Sequence, residues 1–451
     1  MSNSKKGLPG LTAGLKNKLI QQAMERKLRQ AGQDQGRPTI PLPKTDKPVI
    51  PEAYTRFDQH PGYLHLRIMN DGAARMGVRS PFFKLHEGIA GAETRIGGKK
   101  YINYASYNYL GMSGDPEVSQ AAKDAIDQYG TSVSASRLVS GERPIHRELE
   151  RELAQLYDVD DAVTFVSGHA ANVTTIGYLF GPRDLVVHDE LIHNSILQGI
   201  QLSGAKRLSF PHNDADALDQ LLASQRHEFE RVLIVLEGIY SMDGDYPDLP
   251  RFIDIKQRHH AFLMVDEAHS LGVMGATGRG IREHFGLPGN AVDIWMGTLS
   301  KALAGCGGYI AGETALVEHL KFLAPGFLYS VGMPPSVAGA SLAALRGMLA
   351  MPERVKTLQQ RGALFLDQAK ANGIDTGYST GLAVIPAIVG SSLRAARLSA
   401  ALFERGINVQ PILYPAVAEQ SARLRFFVSA MHSEGQILQT IETLTQHIQT
   451  I

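Results

Sequence analysis

The sequence predicts an α/β fold in which helices cover a mostly parallel sheet, followed by a smaller C-terminal α/β domain. Short apolar runs alternate with helical patterns between residues 162 and 310, and such alternation is typical of parallel strands joined by helices. The pattern changes after Met333-Pro334-Pro335. The 451 residues are 44% apolar and 20% charged, with a formal net charge of zero. This composition indicates a globular protein large enough for more than one domain.

The predicted strands of the large sheet are short apolar runs. Ligands in such sheets bind at the carboxyl ends of the strands, so polar residues that directly follow these runs are candidate site residues. The runs lie at residues 162–166, 185–188, 207–210, 232–236, 261–265, 294–296 and 308–310.

The C-terminal part has its own series of elements. Helical patterns cover residues 335–349, 352–372 and 393–404, and strand patterns cover residues 383–388, 407–412 and 423–428. We therefore predict a large domain at 101–333 and a small domain at 334–451, with an N-terminal segment at 53–100.

Residues 1–52 are predicted to form a basic amphipathic helix and a linker. Apolar residues recur at helical spacing over residues 11–29, with lysines and arginines between them. Residues 36–51 are rich in proline and lysine, which indicates an extended linker. The helix could pack on its own body, which we favour because an amphipathic face needs burial, or on a second subunit or an acidic acyl carrier protein.

Several classes of protein are disfavoured by composition. No apolar run approaches the roughly 18 residues of a membrane span, and the N-terminus lacks the pattern of a signal peptide, so we expect a cytoplasmic protein. Cys306 is the only cysteine, which excludes an intrachain disulfide and a thiolate metal cluster. The balanced charge gives no electrostatic reason to expect nucleic acid as a partner.

Asp266 and Lys301 are the most informative residues in the chain. Asp266 ends an apolar run, and Lys301 follows a later run beside the hydroxyls of Thr298 and Ser300. A buried carboxylate needs a cationic partner, which the protonated pyridine nitrogen of pyridoxal 5'-phosphate (PLP) provides. A lysine amine forms a Schiff base with the aldehyde of that cofactor. Either residue alone could be a helix cap or a surface charge, but together they predict a PLP site.

Other polar residues follow neighbouring strands. Gly168 and His169 lie where a strand turns into a helix, and the amides of a helix N-terminus bind phosphate. His193 and His269 could contact the cofactor ring, or they could be ordinary exposed histidines. A zinc site is disfavoured because the spacing of paired histidine ligands is missing, so no metal ligands are predicted.

From residue 101 to its C-terminus, the chain resembles the α-oxoamine synthases, which are fold-type I PLP enzymes with the aspartate aminotransferase-like fold. The resemblance rests on motifs that recur in order. They are Ser106-Tyr107-Asn108-Tyr109-Leu110-Gly111, Ser136-Arg137-Leu138-Val139-Ser140-Gly141 with His146, Ser167-Gly168-His169-Ala170-Ala171-Asn172, His193-Asn194-Ser195, Glu237-Gly238-Ile239-Tyr240-Ser241-Met242-Asp243-Gly244-Asp245, Asp266-Glu267-Ala268-His269-Ser270, Thr298-Leu299-Ser300-Lys301 and Ala422-Arg423-Leu424-Arg425.

The resemblance implies a role for each matching residue. Lys301 would hold the cofactor and move protons at the substrate α-carbon, with Asp266, His193 and His269 as the other catalytic residues. Arg425 would bind the carboxylate of the amino acid, and Tyr107 and Asn108 would line the substrate pocket. The implied cofactor-binding residues are Gly168, His169, His193, Ser241, Asp266, His269, Thr298, Lys301 and, from a neighbouring subunit, Ser330.

The implied reaction is a decarboxylating condensation of an amino acid with an acyl thioester, which gives an α-amino ketone. The resemblance also implies a homodimer with its active site at the interface. The acyl donor could be acyl-CoA or an acyl carrier protein.

Three departures from the family pattern affect this interpretation. Residues 130–135 are Gly-Thr-Ser-Val-Ser-Ala where relatives are richer in glycine, Val331 and Gly332 replace polar residues, and Ala416 replaces a threonine of some relatives. They predict a divergent amino acid or acyl donor.

Two alternatives stay open. An aminotransferase or lyase of the same cofactor class would share Asp266 and Lys301. A non-catalytic subunit of a synthase would lack the lysine.

Overall fold

The computed structural model describes residues 50–75 and 80–450. Of the described residues, those from 50 to 72 belong to one compact unit and those from Ala73 belong to a second. The predicted helix at 11–29 and nearly all of the predicted linker lie outside the described residues. Within the described residues, no helix is long and apolar enough to cross a bilayer.

A seven-stranded sheet forms the centre of the second unit, in the order β3-β9-β8-β7-β6-β4-β5. β9 runs antiparallel to both of its neighbours, and the remaining strand pairs are parallel. All seven predicted strands are present, and the α/β fold class is confirmed. The strands are β3 Asp161–Phe165, β4 Leu185–Asp189, β5 Lys206–Phe210, β6 Val232–Glu237, β7 Phe262–Asp266, β8 Ile294–Thr298 and β9 Gly308–Gly312.

Burial on both faces explains why the central strands, such as β6, are apolar without alternation. In β6, Val232, Ile234 and Leu236 belong to the core on one face, while Leu233 and Val235 belong to the core on the other. A parallel sheet covered by helices on both sides requires this pattern. The only polar residue of β6 is Glu237, at its carboxyl end.

Two smaller sheets lie outside the central one. The antiparallel sheet β10-β13-β12 and the sheet β1-β2-β11 each have three strands. β2 pairs with β11 in parallel, so a hairpin from the N-terminal segment joins a C-terminal strand. This hairpin was not predicted from the sequence. The strands are β1 Glu93–Ile96, β2 Lys99–Asn103, β10 Val384–Ile388, β11 Ile407–Asn408, β12 Gln410–Ile412 and β13 Arg423–Phe427.

The helices agree with the predicted C-terminal series and add several that were not predicted, including the last one. Pro at the first helical position and an Asp or Ser cap mark several starts, as at Asp115, whose carboxylate accepts a hydrogen bond from the amide of Glu117. The helices are α1 Pro61–Arg75, α2 Pro116–Tyr129, α3 Pro144–Tyr157, α4 Gly168–Leu179, α5 Asn194–Ser203, α6 Ala215–Gln225, α7 Leu249–Arg258, α8 Ile281–Phe285, α9 Thr314–Leu323, α10 Pro325–Leu328, α11 Pro335–Ala350, α12 Pro352–Ala371, α13 Ser392–Glu404 and α14 Glu434–Ile448.

Candidate active site

A cavity of about 390 Å³ lies at the carboxyl ends of β3, β4, β6, β7 and β8. It collects all of the predicted site residues except Asn108 and Ser330. The lining residues are Tyr107, Ser167, Gly168, His169, Asn172, His193, Ser195, Glu237, Ser241, Met242, Asp266, Ala268, His269, Met296, Thr298, Ser300, Lys301, Arg425 and Phe427.

A larger groove of about 690 Å³ lies near the opposite ends of the strands and is lined by residues such as Phe262, Ile294 and Leu316. None of the predicted catalytic residues lies in it. The smaller cavity is therefore the candidate active site, because it contains the predicted catalytic residues and volume alone does not identify a site.

Asp266 ends β7 and is 4% exposed. Its carboxylate accepts hydrogen bonds from Asn172 Nδ2 at 2.9 Å and from the amide of Ala268 at 3.0 Å. In residues 50–75 and 80–450, it forms no ion pair with a lysine, arginine or histidine. A buried carboxylate of this kind is stabilised by a cation supplied from outside the chain. The protonated ring nitrogen of PLP fits that requirement.

Lys301 follows β8 and its amine enters the same cavity. Burial lowers the pKa of this amine to about 8, although the negative charges of Asp266 and Glu237 oppose the shift. A lower pKa leaves more of the amine neutral near pH 7, and the neutral amine is the nucleophile that reacts with an aldehyde.

The N-terminus of α4 opens onto the cavity at Gly168. Ser167 caps the helix by accepting a hydrogen bond from the amide of Ala170 at 2.9 Å. A Cβ atom on Gly168 would lie 3.1 Å from Thr298 Oγ1, so the glycine keeps space between the helix and Thr298. Helix N-terminal amides and the Thr298 hydroxyl are suitable ligands for the cofactor phosphate.

His193 is connected to Asp266 by a short chain of hydrogen bonds. Asn172 Nδ2 donates to both Asp266 Oδ2 and Ser195 Oγ, each at 2.9 Å. Ser195 Oγ lies 2.8 Å from His193 Nδ1. Burial lowers the pKa of His193, so the ring is neutral and Nδ1 accepts the serine hydroxyl proton. Asn172 and Ser195 belong to motifs quoted above, but no role was predicted for them.

His269 is held by Tyr109, whose hydroxyl lies 2.7 Å from His269 Nδ1. Burial, with the nearby charges of Lys301 and Arg425, lowers the pKa of this histidine well below its usual value. A neutral ring that accepts the tyrosine proton at Nδ1 carries its own proton on Nε2. That N–H is suited to donate to an anionic oxygen such as the phenolic oxygen of PLP.

Glu237 is a site residue that the sequence did not identify as such. It ends β6 directly beside Asp266 of β7. Its Oε2 accepts a hydrogen bond from the amide of Ser241 at 3.2 Å, while Oε1 is buried without a partner. Burial and the neighbouring Asp266 raise the pKa of Glu237 well above its usual value. The group is therefore able to hold a proton close to Lys301.

Arg423 and Arg425 lie on the same face of β13 but have different partners. Arg423 forms a buried ion pair with Asp243. Arg425 donates to the carbonyl oxygen of Ser241 at 3.0 Å, and within residues 50–75 and 80–450 it forms no ion pair. Burial lowers the pKa of Arg425. Its guanidinium is a cation in the cavity that lacks an anionic partner.

Asn108 and Ser330 are not in the cavity. The side-chain amide of Asn108 donates to the carbonyl oxygens of Ala90 and Ser113 and accepts from the amide of Ser113. These bonds occupy Asn108 in holding its own loop, so its predicted contact with substrate receives no support from this geometry. Ser330 follows α10 and donates to the carbonyl oxygen of Val331, and its predicted role in a neighbouring subunit stays a prediction.

Comparison with known proteins agrees with this geometry. Residues 99–444 match the model of the aminotransferase class I and II family. The 8-amino-7-oxononanoate synthase of Fervidobacterium nodosum is 40% identical over 354 residues, which cover 78% of this chain and 89% of that protein. The enzyme of the same name from Symbiobacterium thermophilum is 41% identical over 342 residues, which cover 76% of this chain and 87% of that protein.

Solved structures agree as well. Serine palmitoyltransferase from S. paucimobilis, solved with PLP and myriocin bound, has a TM-score of 0.83 and 29% identity, and the match covers 86% of this chain and 99% of that chain. The 8-amino-7-oxononanoate synthase of Francisella tularensis has a TM-score of 0.68 and 27% identity, covering 78% and 98%.

The chain belongs to the α-oxoamine synthases, within the class I and II aminotransferase family. The predicted PLP cofactor and the predicted reaction class are confirmed: this is a PLP-dependent acyltransferase that condenses an amino acid with an acyl thioester and releases carbon dioxide. PLP, when bound, supplies the electron sink for the negative charge left on the α-carbon.

Replacing Lys301 tests the cofactor site directly. We expect wild-type protein with saturating PLP to show the visible absorbance of a covalently held cofactor. Lys301→Ala should lose that absorbance, because Lys301 supplies the one side-chain amine among the described residues that line the cavity. Absorbance spectroscopy after removal of free PLP measures this. Lys206→Ala, which removes an exposed lysine at the start of β5, is the control and should retain the band. A colourless wild type would contradict the assignment.

His212 joins two of the loops that carry site residues. Its Nδ1 lies 2.9 Å from Asp189 Oδ1, at the end of β4, and its Nε2 lies 2.8 Å from Asp245 Oδ2, in the loop that begins with Glu237. Only a doubly protonated ring donates to both carboxylates. These two carboxylates raise the pKa of His212 to about 10, against the effect of burial.

This ion pair should make stability depend on pH. The pKa of His212 is about 10 in the folded chain, and its ordinary value, which applies to the unfolded chain, is 6.5. The contribution of the charged His212 to stability is therefore complete below about pH 6.5 and is lost as pH rises through about 10. We expect His212→Gln to lower the free energy of unfolding most below pH 6.5 and least above pH 10, as measured by denaturant melts. His227→Gln, at an exposed histidine, is the control. An equal loss at all pH values would contradict this account.

Proposed function

We propose that Lys301, Asp266 and Arg425 bind and orient the amino acid for condensation, with Lys301 moving the proton at its α-carbon. The observation that carries the proposal is Arg425, a half-buried guanidinium in the same cavity as Lys301, with no ion-pair partner in the described part of the chain. A cation that has lost part of its hydration and has no counter-ion is costly. A substrate carboxylate would remove that cost, and the planar guanidinium can bind it through two parallel hydrogen bonds.

The neighbouring groups support transfer of a proton from and to the reacting carbon. Lys301, with its pKa lowered to about 8, can accept a proton near neutral pH and return it later. Glu237, with its pKa raised by burial and by Asp266, can hold a proton beside Asp266. The rings of Tyr107 and Phe427 border the same space and limit access of water to it.

The acyl donor is an acyl thioester, and we propose acyl-CoA as the first donor to test, with an acyl carrier protein as the second. The product named in the 8-amino-7-oxononanoate synthases carries its amino group next to a ketone, which is the product type that this condensation gives. An aminotransferase would instead consume a 2-oxo acid. An assay distinguishes the two reactions: the condensation releases free thiol and carbon dioxide only when both substrates are present.

We also propose that the enzyme is a cytoplasmic homodimer. Several apolar side chains remain exposed where the loop of residues 329–332 packs beside residues 133–139, and the amide of Gly332 donates to the carbonyl oxygen of Ala135 there. An apolar patch of this kind is typical of a protein interface. Its members are Leu138, Val139, Tyr329 and Val331, which are 52%, 80%, 88% and 50% exposed.

Replacing Arg425 tests the carboxylate site. We expect Arg425→Ala to raise the KM for the amino acid roughly 10- to 100-fold, because a charge-assisted hydrogen bond to a carboxylate contributes about 1.5–3 kcal/mol. The KM for the acyl thioester should change much less. Steady-state kinetics of thiol release measures both constants.

Arg423→Ala is the matched control, since Arg423 lies two residues away on the same face of β13 but already pairs with Asp243. It should lower stability and leave amino-acid binding close to that of the wild type. The carboxylate assignment fails if Arg425→Ala binds amino acids as tightly as the wild type.

The dimer proposal predicts the effect of charge at the exposed patch. Val139→Asp should shift the protein from dimer to monomer, because an apolar interface does not accommodate an unpaired carboxylate. Sedimentation equilibrium measures the mass. Leu202→Asp, at another exposed apolar residue, is the control. A monomeric wild type at micromolar concentration would contradict the proposal.

A further inference from the structure

Phe427 is a cavity residue that no sequence motif assigned to the site, and so far it has only been given a part in limiting access of water. It lies on β13, where alternate residues face opposite sides. Leu424 and Phe426 point into the core of the small domain, whereas Phe427 follows Arg425 by two residues and lines the active-site cavity with it. The ring is 4% exposed, so its position is set by its neighbours.

The ring of Phe427 lies close to two residues with proposed roles in the site. The Cζ atom of Arg425 lies 4.5 Å from the centroid of the ring. The ring of His269 is nearly parallel to it, with an interplanar angle of 19° and centroids 6.0 Å apart. Phe427 therefore neighbours both the carboxylate site and the histidine proposed to bind the phenolic oxygen of PLP.

Tyr107 extends this apolar wall toward Lys301. Its ring meets Phe427 edge to face, with centroids 5.9 Å apart, and the Lys301 Nζ atom lies 5.9 Å from the centroid of Tyr107. An amino acid with its amino group near Nζ and its carboxylate on Arg425 would have its α-carbon near these two rings. The remaining substituent of that carbon must share the space with them.

We propose that Phe427 is a specificity-determining and positioning residue, whose ring both limits the size of the amino-acid side chain and holds Arg425 in its binding orientation. The proposal rests on the proposed function of Arg425. Two physical effects are involved. Bulk closes the space beside the α-carbon, because overpacking a filled site is unfavourable. The face of the ring attracts the guanidinium through a cation–π interaction.

Tyr107 is the weaker part of the wall. It is 43% exposed, whereas Phe427 also contacts the buried ring of Tyr109, with centroids 6.0 Å apart. A side chain enclosed by Tyr109, His269 and Arg425 cannot move aside for a larger substrate. The size limit therefore depends on Phe427.

The test compares amino-acid binding in Phe427→Ala, Phe427→Leu and the wild type, each loaded with PLP. The ligands are glycine, alanine, 2-aminobutyrate, norvaline and leucine. The dissociation constant of each is taken from the change in cofactor absorbance without acyl donor, and thiol release with acyl-CoA gives kcat/KM. The absorbance measurement does not require turnover, so a failure of the proposed condensation is distinguishable from a failure of the size limit.

We expect the wild type to bind leucine roughly tenfold or more weakly than alanine, and Phe427→Ala to raise affinity for norvaline relative to alanine by roughly tenfold. Phe427→Leu keeps most of the bulk but has no aromatic face. It should retain the narrow preference while its affinity for alanine falls roughly 2- to 30-fold. Because leucine is smaller than phenylalanine and apolar, this variant also tests the proposal if Phe427→Ala does not fold.

Phe426→Leu is the matched control, because Phe426 is the adjacent residue on the opposite face of β13. It should lower the melting temperature and leave the order of amino-acid affinities unchanged. The size limit is overturned if the wild type binds leucine as well as alanine, or if Phe427→Ala keeps the wild-type order. The positioning role is overturned if Phe427→Leu binds alanine with wild-type affinity.

Discussion

The active site depends on the cost of burying charges without partners. Asp266 has no cationic partner and Arg425 has no anionic partner in the described part of the chain, yet both lie in one cavity with the amine of Lys301. Two such groups could pair with each other, but Arg425 is held at the carbonyl oxygen of Ser241 and Asp266 is held by Asn172. The fold keeps them apart. In our proposal, the cofactor supplies the cation for Asp266 and the amino acid supplies the carboxylate for Arg425.

Two histidines of the cavity, His193 and His269, are kept neutral by their surroundings. Tyr109 and Ser195 each occupy the Nδ1 atom of a histidine, and burial lowers the pKa of both histidines. Their protons therefore lie on Nε2, which is free to face a ligand. The His212 ion pairs use the opposite strategy, since two carboxylates keep that ring charged at a place away from the chemistry. The charged His212 holds the loops from outside the cavity. Inside the cavity, the neutral His193 and His269 leave the ionic contacts to the ligands.

Much of this site could be predicted from the sequence, because strand ends of a parallel sheet meet at one edge. The strands before His193, Asp266 and Lys301 are continuous apolar runs, so their carboxyl ends were visible in the sequence. Glu237 also ends such a run, but a motif does not reveal that its oxygen lies buried beside Asp266. The contact of Asn172 with Asp266 joins residues 94 positions apart, and no local pattern encodes it.

The errors and omissions of the sequence analysis have a related cause. The β1–β2 hairpin pairs with β11 across some 300 residues, and short edge strands have weak patterns. The contact of Asn108 with substrate stays a prediction, and its side-chain amide donates to the carbonyl oxygens of Ala90 and Ser113. A motif indicates that residues occur together, but it does not tell which of them faces the cavity. On β13, the alternation of side chains decides which residues face the cavity. Arg425 and Phe427 lie on the cavity face, and Phe426 lies on the other face. Substrate selection therefore depends on strand register as well as on residue type, and a one-residue shift in that register would exchange the cavity face for the core face.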